Sequence, residues 1–493
     1  MNVAVSQLQV DAEAGLLEVL KLQRTAFLRD GPPSATAREN RIDRLMHIML
    51  SEADRLVEAL DADYGSRSRT GSYISDVLGP LPALKHTRKH LRRWMKSQSY
   101  NAGPLSLFGG RAWVEWQPLG VVGVMSPWNF PVGLAFAPVA AAFAAGNRVM
   151  LKVSEFVPAT SELMRAAVAR EFDPAELALI TGGPEIGAAF SRLPFDHLLF
   201  TGATSVGRHV QRAAADNLVP VTLELGGKSP VVVSPKADLQ FVAQRVMAGK
   251  SINAGQLCLS PDYMLVPAGS EDELIAAFES VTRKMFPTLL NNDDFSSIVA
   301  ARHFERLNGY IDDARAKGAR VVTINPANED FSGQSAHKIP PTLLVGVNDE
   351  MKIASEETFG PLLSIISYRQ LDEAIEYINS HPKPLAAYYF GPADADRRRF
   401  IENTYSGGVT LNDVILHHSV EDMPFGGVGA SGMGNYHGRH GFETFSHGKS
   451  IVSAPKAFSP LKMVAPPYGE RMKKFLNWQI RREASQVEKR LHR

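Results

Sequence analysis

Residues 196–217 read DHLLFTGATSVGRHVQRAAADN, and the fold is decided on this stretch. HLLF is short and wholly apolar apart from its histidine, as a buried strand is, and TSVGRHVQRAAADN has the spacing of a helix. Gly202 and Gly207 bracket the turn between them. A strand that passes through a glycine turn into a helix aims backbone N–H groups and the positive end of the helix dipole at an anion. Thr204 stands where the dinucleotide fingerprint has its middle glycine, so a pyrophosphate would approach less closely. On these residues alone, a phosphate cradle and a plain strand–helix turn both stay open.

The same alternation extends to both sides. PLGVVGVMS, NRVMLKVS, ELALITGG and VPVTLELGG read as strands, and PVGLAFAPVAAAFAA and ATSELMRAAVARE as helices. Apolar β-branched runs alternating with helices predict a parallel sheet covered on both faces. A second α/β series starts near Ser229 and runs to about residue 412, with strands in DYMLVP, GPLLSIISY, LAAYYFG and GGVTLN. Before the first series, residues 37–62 and 74–96 read as amphipathic helices. Residues 97–117 read as a hairpin and 442–454 as a solvent-facing strand, each with unpaired edges that a second copy of the chain could complete. The terminal segment from Glu470 reads as a solvated basic helix.

Composition narrows the function classes. The 493 residues are 44% hydrophobic and 21% charged with a net charge of +1, a balance that gives no reason to expect nucleic acid or an anionic membrane as partner. The amino terminus lacks the basic and apolar regions of a secretory signal, and no apolar run is long enough to span a membrane. One cysteine, Cys258, allows no internal disulfide and fits a reducing cytoplasm.

Some motifs fail on context. GVGASG, Gly427 to Gly432, matches G-x-G-x-x-G literally, but neither a strand nor a helix is expected around it, so it reads as a loop or tight turn. The three GKS triplets have Thr222, Gln244 and Glu443 where a phosphate-binding P-loop needs a glycine. His417, His418, His437, His440 and His447 lack metal-site spacing and read as loop histidines; no metal is expected. Glu224, at the end of VTLEL, admits two roles: an acid on a ribose hydroxyl, by its distance from Gly202, or a general base acting through water. Cys258 alone could be no more than a small buried hydrophobe.

Seven ordered motifs, PWNFP, LKVSE, FTGATSVG, ELGGKSP, NAGQLC, EETFGP and PFGGVGASGMG, together resemble the aldehyde dehydrogenase superfamily over residues 38–455. SGMGNYHGRHGFETFSH looks like the class 3 branch, and DADYGSRS with PVTLELGGKSPVVV is similar to its bacterial coniferyl-aldehyde dehydrogenases. The resemblance implies an α/β fold with a Rossmann-like NAD(P)-binding domain (1–96 and 118–225) and a catalytic domain (226–425). It also implies an oligomerisation arm (97–117 and 440–456) in a homodimer, followed by a carboxy-terminal extension (457–493). It further implies Cys258 as nucleophile, Glu224 as base, and Asn129 with the Cys258 N–H as oxyanion donors. Lys152 and Glu155 would hold the adenosine ribose, and Trp128 with Gly202, Ala203, Thr204, Ser205, Val206 and Gly207 would flank the pyrophosphate. Glu357 and Phe359 would position the nicotinamide end. The implied reaction oxidises an aldehyde, cinnamyl-type or medium-chain aliphatic, to its acid with NAD or possibly NADP. A cysteine esterase without hydride transfer is the alternative. Ala203 and Leu257 depart from the family's usual Ser and Thr.

Overall fold

In a computed structural model, residues 2–456, 459–462 and 465–492 are described, side chains of 2–12 and 460 excepted. Two compact units emerge, residues 1–95 with 117–447, and residues 96–116 with 448–493.

The first unit contains two sheets. In the six-stranded one the order is Gly432–Met433, Val221–Leu225, His197–Gly202, Val121–Met125, Arg148–Lys152, Leu177–Ile180, parallel except for the first. Val121–Met125 is the earliest of these strands and lies inside the sheet, so chain succession reverses between it and His197–Gly202. A crevice opens beyond the carboxyl ends of such a strand pair, and ligands of open α/β sheets bind there. In the seven-stranded sheet the order is Arg320–Thr323, Thr342–Val345, Leu362–Tyr368, Pro261–Pro267, Ser229–Val233, Ala386–Phe390, Gly408–Leu411. It is parallel except for its first strand.

The helix Gly133–Ala145 is apolar on every face and buried almost throughout, which explains its alanine-rich sequence. Just past it, fully buried Asn147 accepts from the Gly120 N–H (2.9 Å) and donates to the carbonyls of Ala142 (3.1 Å) and Phe445 (2.8 Å). One side chain thus satisfies groups from three separated segments.

Several sequence expectations are corrected. Residues 37–62 form two helices, Ala35–Ser51 and Ala53–Tyr64, divided at Glu52, whose ψ of 13° departs from helical geometry. Segment 74–96 is a π-helical turn, Tyr73–Leu78, and then the helix Leu81–Trp94. Pro80 separates them because it has no N–H to continue the ladder. The helix Asn2–Asp30 was not anticipated; it has no acidic residue in its first turn to mark it. Its Leu16 and Leu20 pack in one core cluster with Phe190, Leu193 and Phe195.

In the second unit, Gln98–Tyr100 pairs antiparallel with Arg111–Pro118, and Ser446–Ser453 completes a three-stranded sheet. Two expectations change here. Residues 438–444 are helical (Gly438–Thr444), so the strand begins only at Ser446. The hairpin and this strand also pair within one chain, with Gln98–Tyr100 and Ser446–Ser453 as the outer strands of the sheet. The helix Glu470–Leu491 has no buried residue. Residues 457, 458, 463, 464 and 493 of the expected extension lie outside the described residues. No helix among the described residues is long and apolar enough to cross a membrane.

Candidate active site

Several of the residues singled out in the sequence lie at the carboxyl ends of the first sheet's strands, whereas Glu357 and Phe359 precede the strand Leu362–Tyr368 of the second. Trp128 and Asn129 follow Val121–Met125, and Lys152 ends the next strand. The turn at Gly202 leads from His197–Gly202 into the helix Thr204–Ala215, and Glu224 is the penultimate residue of the strand Val221–Leu225. Cys258 sits apart, between the 3-10 turn Ile252–Gly255 and the strand Pro261–Pro267.

The loop carrying Cys258 is locked in an unusual form. Asn253, Ala254 and Gly255 are left-handed in succession, with φ of 48°, 52° and 75°. Only the last is a glycine, so the other two are held against their preference. The Asn253 amide donates to the Asn129 carbonyl (3.2 Å), and the Asn129 amide donates to the Gln256 carbonyl (3.1 Å). Fully buried Gln256 donates to the carbonyls of Asn253 (3.0 Å) and Ser297 (2.9 Å) and accepts from the Val299 N–H (3.0 Å). Tyr64 donates to the Trp128 carbonyl (3.2 Å). Sequence reading missed Asn253, Gln256 and Tyr64 as site residues. Gln256 is two places from the cysteine, whereas the other two act through contacts of long sequence separation.

Cys258 and Glu224 line one cavity of about 520 Å³, within the usual range of a small-molecule site, together with Leu257, Thr201, Leu134 and Phe425. Glu224 is 4% exposed and neither carboxyl oxygen has a hydrogen-bond partner in the protein. Burial therefore raises its pKa well above the ordinary carboxylate value. Half-buried Cys258 is pushed up to about 12, by burial first and then by the charges of Glu357 and Glu224. Asn129 spends one amide proton on Gln256 and keeps a second to offer.

The residues expected to hold a nucleotide have chemistry that would suit a dinucleotide. Ala203 places no side-chain oxygen on the first turn of Thr204–Ala215, so the helix N–H groups there stay available to an anion. At Gly202 a Cβ would lie 2.6 Å from the Phe200 ring, so any side chain there would displace that ring. Lys152 Nζ is 3.3 Å from the carboxylate of exposed Glu155. Phe359, at φ 46°, meets Trp128 edge-to-face with centroids 5.3 Å apart. Its loop is clamped: Arg306 donates to the carbonyls of Glu357 (3.2 Å) and Thr358 (2.9 Å), and Asp262 accepts from the Thr358 N–H (2.8 Å) and pairs with Lys228. The Glu357 carboxylate lies against Gly226, where a Cβ would fall 2.2 Å from it; burial raises its pKa to about 7.

GVGASG makes a tight turn rather than a nucleotide loop. Gly432–Met433 pairs antiparallel with Leu223–Glu224, and the Ala430 carbonyl accepts from the Thr204 hydroxyl (3.1 Å). A strand and, from Gly438, a helix do follow it, contrary to expectation, yet no strand leads into it. The histidines are more than loop residues. The His418 and His437 rings lie 5.0 Å apart, and Phe425 stacks on His437 at 4.7 Å. Among the described residues no group of three or more His, Cys, Asp or Glu side chains could hold a metal.

Two largely parallel sheets, with a lone thiol and a buried carboxyl in one cavity, suit nucleophilic chemistry on a carbonyl carbon. The chain belongs to the aldehyde dehydrogenase family, whose description matches residues 21–451. It is 51% identical over 486 residues to a probable coniferyl aldehyde dehydrogenase of Caulobacter vibrioides, covering 98% of this chain and 100% of that one. It is also 51% identical to the coniferyl aldehyde dehydrogenase of Pseudomonas sp. strain HR199, covering 92% and 93%. Among solved structures, the substrate-bound state of Staphylococcus aureus AldH superposes with a TM-score of 0.87 at 34% identity, covering 94% of this chain and 99% of that one. The protein is an aldehyde dehydrogenase by family and by fold.

The raised thiol pKa gives a pH dependence. A group whose pKa is raised is less ionised at neutrality, and only the thiolate is alkylated. The rate at which iodoacetamide inactivates the cofactor-free enzyme is expected to climb steadily from pH 7 to pH 10. A plateau reached below pH 8 would contradict the assigned environment of Cys258.

Proposed function

We propose that the enzyme oxidises a cinnamyl-type aldehyde such as coniferyl aldehyde to the free acid with a nicotinamide dinucleotide, through an acyl thioester on Cys258. The observation that carries this reading is the placement of Cys258 and Glu224 on the wall of one largely apolar cavity. The chain's similarity to coniferyl aldehyde dehydrogenases supports the substrate class.

The Cys258 thiolate adds to the aldehyde carbon, and the alkoxide that develops takes hydrogen bonds from the free proton of the Asn129 amide and from the Cys258 N–H. The chemistry a nicotinamide dinucleotide supplies when bound is acceptance of the hydride that leaves this carbon. The acyl thioester that remains is attacked by water, and Glu224, once ionised, takes the water's proton as the thiolate is expelled. Burial suits Glu224 to this role: a carboxylate with raised pKa is a stronger base than one in solvent. For the cofactor, the turn Gly202–Gly207 and Trp128 hold the pyrophosphate, Lys152 and Glu155 the adenosine ribose, and Glu357 and Phe359 the nicotinamide end. These side chains at the strand ends, and the uncapped helix start, support that division of labour.

A carboxylate at Glu155 accepts from a ribose 2′-hydroxyl and repels a 2′-phosphate, so NAD is the preferred form. The kcat/KM with NAD is expected to exceed that with NADP by about tenfold or more, a difference of roughly 1.4 kcal/mol. A ratio at or below one would contradict the role of Glu155.

Glu224→Gln separates the base from a ribose-binding acid. It is expected to give a burst of reduced cofactor near one equivalent, followed by turnover slowed by about 10²–10⁴-fold. A raised KM for the cofactor without a burst would overturn the reading.

A further inference from the structure

The cavity that holds Cys258 also holds polar groups the mechanism does not use. His437, at the start of the helix Gly438–Thr444, is 5% exposed, and its Nδ1 has no hydrogen-bond partner. The Glu421 carboxylate lies 4.0 Å away, beyond hydrogen-bond reach. Both side chains line the cavity. A buried polar atom left unmatched costs about 1–3 kcal/mol, so His437 Nδ1, with the partly exposed Glu421 carboxylate just out of reach, calls for a partner from outside the protein.

Two polar atoms 4.0 Å apart can both reach a single oxygen set between them, each at about 2.8 Å. That oxygen must accept from one group and donate to the other, as a hydroxyl does. The surroundings are aromatic: Phe425 stacks on the His437 ring at 4.7 Å, and Tyr436 meets it edge-on at the same distance. His418 packs 5.0 Å from His437. A flat ring bearing a hydroxyl suits such walls, and an aliphatic chain leaves both polar groups unmatched.

Tyr436 links this place to the reacting groups, since its hydroxyl is discouraged from ionising by burial first and then by the charges of Glu224, Cys258 and Glu421. Burial holds His418 to about 4 and His437 well below the ordinary histidine value, so both rings are neutral. Glu421 is raised to about 7 by burial and by neighbouring Asp422.

We propose that Glu421 and His437 form a specificity-determining site that binds the phenolic hydroxyl of a 4-hydroxyaryl aldehyde, the aldehyde end reaching Cys258. This rests on the cinnamyl-type reading above and sharpens it. The phenol donates to the Glu421 carboxylate and accepts from His437 Nδ1–H, and nothing covalent changes at this end.

The test compares 4-hydroxy-3-methoxycinnamaldehyde with cinnamaldehyde, using full-length protein saturated with NAD. The ratio of their kcat/KM values is read within each variant, so a general loss of activity cancels. The wild-type ratio is expected to favour the hydroxylated substrate by about tenfold or more, and Glu421→Gln and His437→Phe are each expected to bring it below about threefold. Calorimetric titration with coniferyl alcohol and cinnamyl alcohol, which the chemistry does not consume in this direction, should show the same loss of preference in Kd. A wild-type ratio near one, as expected if an ordered water fills the position, would overturn the site while leaving aryl aldehyde oxidation standing. A large ratio unchanged in both variants would also overturn it. Oxidation of aliphatic aldehydes and of neither aryl aldehyde would remove the cinnamyl-type reading and the site with it.

Discussion

The loop conformation at Asn253–Gly255 is the constraint on which the site depends. Three successive left-handed residues turn the chain so that Gln256 points inward and Cys258 reaches the cavity wall. Left-handed backbone costs roughly 1–2 kcal/mol at a non-glycine residue. The hydrogen bonds of Asn253 and Gln256 oppose that cost, and those between Asn253, Gln256 and Asn129 tie the loop to Asn129. At Gly255 a Cβ would fall 2.3 Å from the Gly360 carbonyl, so the loop bearing Glu357 and Phe359 rests directly on the nucleophile's loop. The Cys258 loop, the Asn129 amide and the Glu357–Phe359 loop, proposed as nucleophile, oxyanion donor and cofactor contact, are thereby parts of one contact set, and a change at any of them is felt by the others.

Electrostatics follow from this placement. Glu224 and Glu357 both raise the thiol pKa, and burial raises all three groups. Burial in a low-dielectric site disfavours the charged form of each of these groups, and the two carboxyl charges further disfavour the thiolate. The cavity is therefore set for groups that ionise when chemistry demands it rather than for a standing thiolate. The Asn129 amide proposed as an oxyanion donor belongs to the fixed amide web, so an alkoxide formed there would meet a hydrogen bond already in position.

Local patterns in the sequence carried the strand–turn–helix at 197–215, and with it the crevice, because apolar period and glycine turn are signals between near neighbours. Burial of Glu224 and its place on the wall shared with Cys258 are features no spacing reveals, and they favour the proposed base over the ribose-binding acid. The start of the chain was illegible because the helix Asn2–Asp30 lacks an acidic first turn, and its contacts lie with Phe190 and Phe195, far along the sequence. The strand expected at 442–454 was misplaced because residues 438–444 are helical. His418 and His437 looked scattered for a similar reason. Nineteen positions separate them, and only packing around Phe425 brings the rings together. Asn253 and Tyr64, joined at 3.4 Å across most of the first half of the chain, were equally out of reach of any local pattern.

The thioester on Cys258 is the centre of the proposed chemistry, and it can be weighed. Glu224→Gln enzyme turning over coniferyl aldehyde with NAD is quenched in acid and digested, and the peptide containing Cys258 is examined by mass spectrometry. The expected result is an acyl adduct on Cys258 with the mass of the substrate's acid less water, released by hydroxylamine. An unmodified Cys258 in enzyme that has reduced one equivalent of cofactor would contradict it.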